Sequence, residues 1–314
     1  MSNWSEPFRQ RLQLLTDLLP VVAAETRFAL KGGTAINLFE HDLPRLSVDV
    51  DLSWLPFGDF ASDSRAIDEA LRSIADALAA PPLRLQVVTS APEKAQGVTR
   101  LIAAHGRTRV QIETTPVMRG VVHPVRMMTV QPRVQAEFGF AAMQVLDFND
   151  LYSGKLAAAL TRQNPRDLFD VGILLDEGRF DVALWRTFLV YLTASPKPAW
   201  ELLEPGEPRD LANAFRTVFE GMTAEPTSVA ALLDNRTRML ARIAALMDTA
   251  SREFLVSVER EAPDFNLIGL PQAADLPGVR RKLQNLARRS PQKRDADYRQ
   301  LAEALDRIGR KENP

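Results

Sequence analysis

The fold is decided by two neighbouring stretches of sequence, Phe28–Phe39 (FALKGGTAINLF) and Arg45–Leu52 (RLSVDVDL). Their pattern predicts a strand, a Gly-Gly-Thr turn, a short helix, a loop and a second strand that carries Asp49 and Asp51. Residues i and i+2 of a strand point to the same face, so the two carboxylates are expected to project together. Two carboxylates on one rigid face suit Mg²⁺, because this ion prefers a few hard oxygens together with substrate phosphates.

The residues of the turn strengthen this interpretation. Gly32 and Gly33 would let the backbone approach a triphosphate closely, and Thr34 would open a helix whose free N–H groups favour an anion. Lys31 and Arg45 could also reach a phosphate, although charged side chains in solvent explain both equally well. Each motif alone is weak, because Asp-x-Asp pairs and single glycine turns are common. In this order and at this spacing, however, they indicate a site for nucleotidyl transfer.

With these residues the chain resembles the AbiEii/AbiGii (MenT-like) toxin family of the polymerase-β nucleotidyltransferase superfamily. The superfamily signature is Gly-Gly/Ser-Thr/Ser, a short helix and then Asp-x-Asp. The resemblance implies an α/β domain with a mixed sheet over residues 1–146 and an α-helical domain over residues 147–314, giving a bilobed protein. It also implies transfer of a nucleoside monophosphate from an NTP with loss of pyrophosphate, with Mg²⁺ (or Mn²⁺) held by Asp49 and Asp51.

A second pair of helices is predicted directly after the α/β domain. Residues 147–162 are expected to form a helix with Asn149 or Asp150 as its N-cap. The dipeptide Asn164-Pro165 should end that helix and begin the next, with asparagine as N-cap and proline at the first helical position.

Charged side chains stand out in this helix pair. The second helix is apolar around most of its circumference, and its polar sector holds mainly Arg166, Asp167 and Asp170. Charges in a buried helix are costly unless they are paired or used in chemistry. One interpretation is therefore an internal ion pair of Asp167 or Asp170 with Lys155, Arg162 or Arg166.

The spacing K-x6-R-x3-R-D-x2-D also resembles the second hallmark of the family. Carried over to this chain, the resemblance implies that Lys155 contacts the triphosphate and that Asp170 is the essential aspartate. Arg166 and Asp167 would support them, and the cleft between the two domains would be lined by both motifs. The resemblance covers about residues 28–175.

A third acid is expected on a strand of the α/β domain. Strands are predicted at Leu83–Val88, Val98–Ala103, Arg109–Thr114 and Val121–Val130. Glu113 is the single acid between Thr99 and Arg133, a region with six arginines. The superfamily resemblance implies that Glu113 serves as a metal ligand or as the base for the attacking hydroxyl. The alternative is a simple ion pair with one of the arginines.

Ser47 stands two residues before Asp49 and is grouped with the nucleotide-binding residues. The family resemblance implies a possible regulatory phosphorylation at this position. A phosphate would add nearly two negative charges beside a metal site and would compete with a triphosphate. The alternative is a small strand residue whose hydroxyl bonds the backbone.

Composition sets the broad class. A chain of 314 residues can bury one large core or two domains, and 46% hydrophobic and 25% charged residues are typical of a globular protein without membrane spans. The net charge is −1, so a nucleic acid would have to be held by a local basic patch. The absence of cysteine excludes disulfides and thiolate metal sites. Without a signal-peptide pattern or a long apolar run, a cytoplasmic protein with no membrane partner is expected.

The C-terminal half is expected to be helical and to offer one basic patch. Helices are predicted at Val182–Leu192, Leu211–Phe219, Ser228–Ser257 and Leu283–Ile308. The stretch from position 280 to 294 carries seven positive charges and no acid. It is a candidate RNA contact or, equally, a solvated helix face; the candidate residues are Arg280, Arg281, Lys282, Arg288 and Arg289.

The resemblance also implies an acceptor and a partner. The acceptor would be the tRNA 3′ end, so that the enzyme blocks aminoacylation and translation, and a cognate antitoxin protein would be encoded nearby. The enzyme would then be the toxin of a toxin–antitoxin or phage-defence pair. Two alternatives stay open: transfer to a protein or small-molecule hydroxyl, and a catalytically idle nucleotide- or RNA-binding module.

Overall fold

The computed structural model describes residues 4–91 and 97–310. The chain divides into two compact units. Unit 1 consists of Met1–Asp147 and Gly221–Pro226, and unit 2 consists of Phe148–Glu220 and Thr227–Pro314. Unit 1 combines a sheet with helices and unit 2 is helical, which gives the mixed α/β class that the sequence predicts. The return of Gly221–Pro226 to unit 1 has no counterpart in the sequence-based division.

Unit 1 is built on a mixed sheet. Its strands in the described residues are β1 (Phe28–Lys31), β2 (Asp49–Trp54), β3 (Gln86–Ser90), β4 (Arg100–His105), β5 (Thr108–Thr114), β6 (Arg126–Thr129) and β7 (Ala142–Val145). Their order in the sheet is β3-β4-β5-β2-β1-β7-β6. Strand β2 is parallel to β5 and antiparallel to β1, so the acid-bearing strand has a hydrogen-bonded neighbour on each side.

The helices of unit 1 follow from apolar periodicity and local caps. They are α1 (Glu6–Ala23), α2 (Gly32–Ala35) with a π-helical continuation (Ile36–Glu40), α3 (Phe60–Ala79) and α4 (Pro132–Phe138). The apolar stripe of α1 is fully buried, including Leu12 and Leu15. Asp59 caps α3 by accepting a hydrogen bond from the Ser62 amide at 2.9 Å. Only Ala80 separates its end from Pro81-Pro82.

The strands of unit 1 differ from expectation in their bounds, and the predicted strand Val98–Ala103 is found at Arg100–His105. The predicted strand Val121–Val130 is present only as β6, because Pro124 cannot donate to a ladder and pairing starts after it. The predicted strand Leu83–Val88 begins later, at Gln86. The short elements α4 and β7 have no expectation at all, since seven and four residues are too few to show a clear period.

Unit 2 is a helical array. Its helices are α5 (Phe148–Arg162), α6 (Pro165–Asp176), α7 (Val182–Ala194), α8 (Ala199–Leu203), α9 (Leu211–Val218), α10 (Val229–Leu246), α11 (Thr249–Glu259), α12 (Pro277–Ala287) and α13 (Pro291–Arg310), with 3₁₀ turns at Phe265–Ile268 and Pro271–Asp275. None of the helices within residues 4–91 and 97–310 is both long and apolar enough to cross a membrane.

Two long helices predicted in unit 2 are each a pair of helices. The stretch Ser228–Ser257 is interrupted because Asp248 caps a new helix by accepting from the Ser251 amide at 2.9 Å. The stretch Leu283–Ile308 is interrupted at Pro291, because the residue before a proline avoids the helical conformation. The apolar periodicity of the sequence continues across both breaks, so periodicity alone does not reveal them.

Candidate active site

Three acids of unit 1 lie on one face of the sheet. In the parallel pair of β2 and β5, Asp49 stands opposite Gln111 and Asp51 opposite Glu113. Residues in register on neighbouring strands project to the same face, and so do residues two apart on one strand. The structure therefore brings Asp49, Asp51 and Glu113 together, and these three side chains are named the acid row.

Glu113 is held through one of its oxygens. Arg100 on β4 is in register with it and places its Nη2 3.1 Å from Oε2. Gln111 donates from Nε2 to the same oxygen at 2.8 Å. The predicted ion pair with an arginine is thus confirmed, and the partner is Arg100. The role of Glu113 toward a metal stays a prediction.

Lys31 flanks the acid row on the other side. It is the last residue of β1 and stands opposite Asp51 in the antiparallel pair of β1 and β2. Burial lowers the pKa of Lys31, while the charges of Asp51 and Glu113 act to raise it. Across four adjacent strands the register thus places Arg100, Glu113, Asp51 and Lys31 in sequence, with a cation at each end and two carboxylates between.

The glycine turn packs directly against the acid row. Gly32 has a φ of +74°, and a Cβ at this position would lie 2.3 Å from Oδ2 of Asp51. A Cβ at Gly33 would lie 2.7 Å from Oγ of Ser47 and 2.9 Å from Nη2 of Arg45. Close packing within the protein therefore requires glycine at both positions, because their backbones lie against side chains of Arg45, Ser47 and Asp51.

Thr34 and Ser47 are buried parts of the same contact. Thr34 is 1% exposed and its hydroxyl donates to the carbonyl oxygen of Asp49, with Oγ of Ser47 3.1 Å away. Thr34 is the third residue of α2, not the first as expected, since that helix begins at Gly32. The alternative prediction was that the Ser47 hydroxyl bonds the backbone. In the structure its partner is instead the Thr34 side chain.

The loop before the acids is fixed from a distant part of the sequence. The Leu46 amide donates to the Met222 carbonyl and the Ala224 amide to the Pro44 carbonyl, each at 2.8 Å. Arg45 is 2% exposed and donates from Nη1 to the Leu46 carbonyl at 2.8 Å. Arg45 is therefore buried within unit 1, which excludes the alternative of a side chain in solvent.

The second motif forms a buried ion cluster within unit 2. Nζ of Lys155 lies 2.9 Å from Oδ1 of Asp167 and 2.9 Å from Oδ2 of Asp170. Asp170 is fully buried, and Nη2 of Arg162 lies 3.0 Å from Oδ2 of Asp167. The predicted internal ion pair is confirmed, with one lysine between two aspartates. Arg166 is half-buried at the start of α6.

Of the two helix N-caps predicted in this motif, one is correct and the other is wrong. Asn164 caps α6 by accepting from the Arg166 amide at 3.1 Å, as predicted. The expected N-cap at Asn149 or Asp150 is wrong, because α5 already begins at Phe148. Asp150 instead lies in the first turn, fully buried, where it accepts a hydrogen bond from the Tyr191 hydroxyl at 2.9 Å.

The basic stretch of unit 2 separates into internal and exposed cations. Lys282 is buried and donates to the carbonyls of Ser195 and Lys197, both at 2.8 Å, and burial lowers its pKa. Arg289 pairs with Glu259 at 2.9 Å and with Asp297 at 2.7 Å. Five members are exposed: Arg280 pairs with Asp275, Lys293 with Asp297 and Arg294 with Glu261, and the other two are Arg281 and Arg288. An RNA contact here stays a prediction that rests on these exposed arginines.

The donor set of the acid row fits a hard divalent cation. Three carboxylates on one rigid sheet face supply oxygen ligands, and no thiolate ligand is possible because the chain has no cysteine. The glycine turn brings backbone to within contact of one of the acids. Such residues would hold Mg²⁺ or Mn²⁺ together with phosphate oxygens.

These features are the parts expected of a nucleotidyltransferase, and comparison with known proteins agrees. Residues 13–307 match the sequence model of the family described as Nucleotidyl transferase AbiEii toxin, Type IV TA system. The chain therefore belongs to the AbiEii family of nucleotidyltransferase toxins of type IV toxin–antitoxin systems. No curated protein has a sequence that matches the chain significantly.

The fold is also similar to a solved structure. MenT4, a nucleotidyltransferase toxin from Mycobacterium tuberculosis H37Rv, superposes with a TM-score of 0.57 at 17% sequence identity. The match covers 89% of this chain and 93% of that one. At this identity the similarity concerns the fold, and it confirms the expected fold class.

Sequence reasoning missed three residues of the site. Arg100 and Gln111 contact Glu113, but nothing in the sequence says which strands are neighbours or in which register. Met222 pairs with the loop before the acids from about 175 residues further along the chain. The alternation of polar residues along β5 was a usable signal for Gln111, since it shares a face with Glu113.

Proposed function

We propose that this toxin transfers a nucleoside monophosphate from an NTP to the 3′ end of tRNA in a reaction that depends on Mg²⁺. The observation that carries the proposal is the acid row, in which Asp49, Asp51 and Glu113 share one sheet face beside the glycine turn. Membership of a family of nucleotidyltransferase toxins supports a cellular target whose modification stops growth. A blocked tRNA acceptor end would stop aminoacylation and therefore translation.

The residues of unit 1 would bind the nucleotide and hold the ion. Asp49 and Asp51 would be the metal ligands, and Glu113, fixed by Arg100 and Gln111, would complete the oxygen donors. When bound, Mg²⁺ would align the triphosphate and neutralise its charge as pyrophosphate leaves. The backbone at Gly32, Gly33 and Thr34 would lie along the phosphates, while the hydroxyls of Thr34 and Ser47 hold the start of β2 in place.

Lys155 and Asp170 would act from unit 2. We assign Lys155 to the triphosphate because the family resemblance places a lysine there. Asp170 and Asp167 hold its ammonium from two sides, which fixes the side chain in one position. Asp170 would thus be a positioning residue; Asp167 is paired in addition with Arg162, and Arg166 would support the cluster from the first turn of α6.

The antitoxin is proposed to be a protein encoded nearby, and phosphorylation of Ser47 is proposed as one way to silence the toxin. Ser47 is 8% exposed and lies against Thr34 and the Gly33 turn. A phosphate on this hydroxyl would push the turn away from Asp49 and add negative charge beside the acid row. Intact-protein mass spectrometry after co-expression with the neighbouring gene would detect it; an unmodified Ser47 in silenced toxin would contradict this route.

The proposal is tested by labelling. Purified protein is incubated with total tRNA, Mg²⁺ and each α-³²P-labelled NTP separately, and the products are resolved on a gel. The expected result is a labelled tRNA band that is lost with Asp49→Ala and with EDTA. Asp76→Asn, an exposed acid on α3 of the same unit, is the matched control and should label normally.

The acceptor is tested in the same experiment. Periodate-oxidised tRNA lacks an intact 3′ ribose and should accept no label. Label in the protein fraction, or on an added small-molecule alcohol, would move the assignment to another hydroxyl. Nucleotide binding without transfer to any fraction would leave a binding module and overturn the proposed reaction.

A further inference from the structure

We propose that Lys31 serves two partners in turn: it balances the acid row in the absence of metal, and it contacts the phosphates once a metal–nucleotide complex is bound. The proposal rests on the proposed function, because it needs a divalent ion at the acid row. It assigns Lys31 as a further substrate-contacting residue, beyond the acids and the glycine turn.

The position of Lys31 supports the first partner. Lys31 stands directly opposite Asp51 in the antiparallel pair of β1 and β2, and its ammonium group interacts electrostatically with both Asp51 and Glu113. The next residue, Gly32, brings the backbone so close to Asp51 that a Cβ would lie 2.3 Å from Oδ2. The half-buried lysine is therefore held beside the row by its place in the sheet.

Charge balance explains why a cation is needed there. Like charges on neighbouring strands destabilise a sheet, and the acid row places three carboxylates within one small area. Arg100 compensates Glu113 from the β4 side by a direct ion pair. Asp51 lies further from Arg100, and Lys31 is the cation that faces it from β1. The two flanking cations thus reduce the formal charge of the metal-free row from −3 to −1.

The second partner follows from the same geometry. A divalent ion at Asp49 and Asp51 would supply the positive charge that Lys31 supplies without it, and the ammonium would then be repelled. Lysine is a point charge on a flexible four-carbon stem, so it can turn to a new partner without a change of backbone. The residue immediately before the Gly32–Gly33 turn is within side-chain reach of phosphates that lie along this turn. Lys31 would therefore exchange a carboxylate for a phosphate oxygen.

The proposal predicts opposite effects on two affinities, which a structural role would not produce. In Lys31→Gln, Mn²⁺ binding to metal-free protein should tighten by about three- to tenfold, because a competing cation is lost. Binding of a non-hydrolysable NTP at saturating Mn²⁺ should weaken by about tenfold, because a charge-assisted phosphate contact is lost. Mn²⁺ binding is measured by electron paramagnetic resonance of the free ion, and nucleotide binding by calorimetry.

Two further variants make the test specific. Lys31→Arg keeps the charge and should hold both affinities within about threefold of the original, whereas Lys31→Met keeps the length and should behave like Lys31→Gln. Arg72→Gln is the matched control, since it removes an exposed cation of the same unit whose partner is Asp68 on its own helix. It should change neither affinity.

The outcomes separate this proposal from the one on which it rests. If both affinities fall in Lys31→Gln and Lys31→Met, Lys31 only supports the local structure and the proposal is overturned. Unchanged affinities in both variants would overturn it as well. Unaltered protein that binds no Mn²⁺ would contradict the proposed metal site itself, while tight Mn²⁺ binding that ignores position 31 would contradict only the role of Lys31.

Discussion

Gly32 and Asp51 are so close that the glycine could not carry a side chain: a Cβ at position 32 would lie 2.3 Å from Oδ2 of the aspartate. Gly32→Ala should therefore displace either the turn or the carboxylate. A shift of about 1 Å at a reacting group can cost about 100-fold in rate, so nucleotidyl transfer should fall by about that factor. The measurement is the initial rate of labelling per mole of folded protein.

The control for this variant is Gly106→Ala in the turn between β4 and β5. Gly106 also has a positive φ, +62°, but a Cβ there would meet nothing within 4 Å. It should lose about 1 kcal/mol of stability from backbone strain and keep its rate. Equal rates for the two variants would mean that the approach to Asp51 has no catalytic importance.

The lysine between two aspartates predicts a large loss of stability. Asp170→Ala leaves the buried Lys155 with one carboxylate in place of two and should destabilise unit 2 by about 3–5 kcal/mol. Arg162→Ala removes the exposed arm of the same cluster, whose side chain is 63% accessible, and should cost less than about 1 kcal/mol. Urea unfolding curves followed by circular dichroism give both values, and similar losses would show that burial does not set the strength of these pairs.

Helix packing in unit 2 predicts that alanine substitution lowers stability at one glycine and not at another. A Cβ at Gly172 on α6 would lie 2.1 Å from Nδ2 of Asn235, so Gly172→Ala should destabilise. Adding Asn235→Ala should remove the clash and let the helix gain up to about 1 kcal/mol from the better helix former. Gly154→Ala on α5 should be neutral or stabilising from the start, because its nearest neighbour would be 3.7 Å away. Thermal melts of the unaltered protein, Gly172→Ala, Asn235→Ala and the double variant test the cycle, with Gly154→Ala alongside; an additive double variant would rule out the clash.

Asp248 predicts a specific loss of stability in acid. Partial burial acts to raise its pKa, but hydrogen bonds from Arg186 and Ser251 outweigh this and lower it to about 2. A carboxyl whose folded pKa is lower than its unfolded pKa, about 3.9, stabilises fully above the unfolded value. This contribution should disappear as the pH falls from about 4 through 2. Asp248→Asn can still cap α11, so it should flatten that part of the curve of unfolding free energy against pH while keeping the helix.

Substitutions within the basic stretch 280–294 should have two different effects, one on RNA binding and one on stability. Arg288→Glu changes an exposed side chain and should weaken tRNA binding and reduce its dependence on salt. Lys282→Met removes a buried donor to two carbonyls and should lower stability instead. Filter binding at several salt concentrations, with melting temperatures alongside, separates them. Unchanged binding by Arg288→Glu together with Arg281→Glu would remove this surface from the RNA interface.

The sequence predicts best those features that depend on neighbours along the chain. The glycine turn, the pair of aspartates on one strand and the cap at Asn164 all have short-range signatures, and each is in place. The pairing of Asp51 with Glu113 could only be expected from family resemblance, because register between distant strands leaves no trace in a single sequence. The same limit hid the partners of Lys282 and Arg289, which look like solvent-facing charges until their distant neighbours are known.

The pairing of Gly221–Pro226 with the loop before the acids has a consequence for the order of synthesis. A ribosome makes the acid strand and the glycine turn early, but the segment that fixes Arg45 and Leu46 follows roughly 175 residues later. At about 5–20 residues per second this is a delay of about 10–35 seconds. A nascent chain of this toxin would therefore lack the contacts that fix the loop before Asp49 until most of the chain has been made, so that this loop takes its final form late in synthesis.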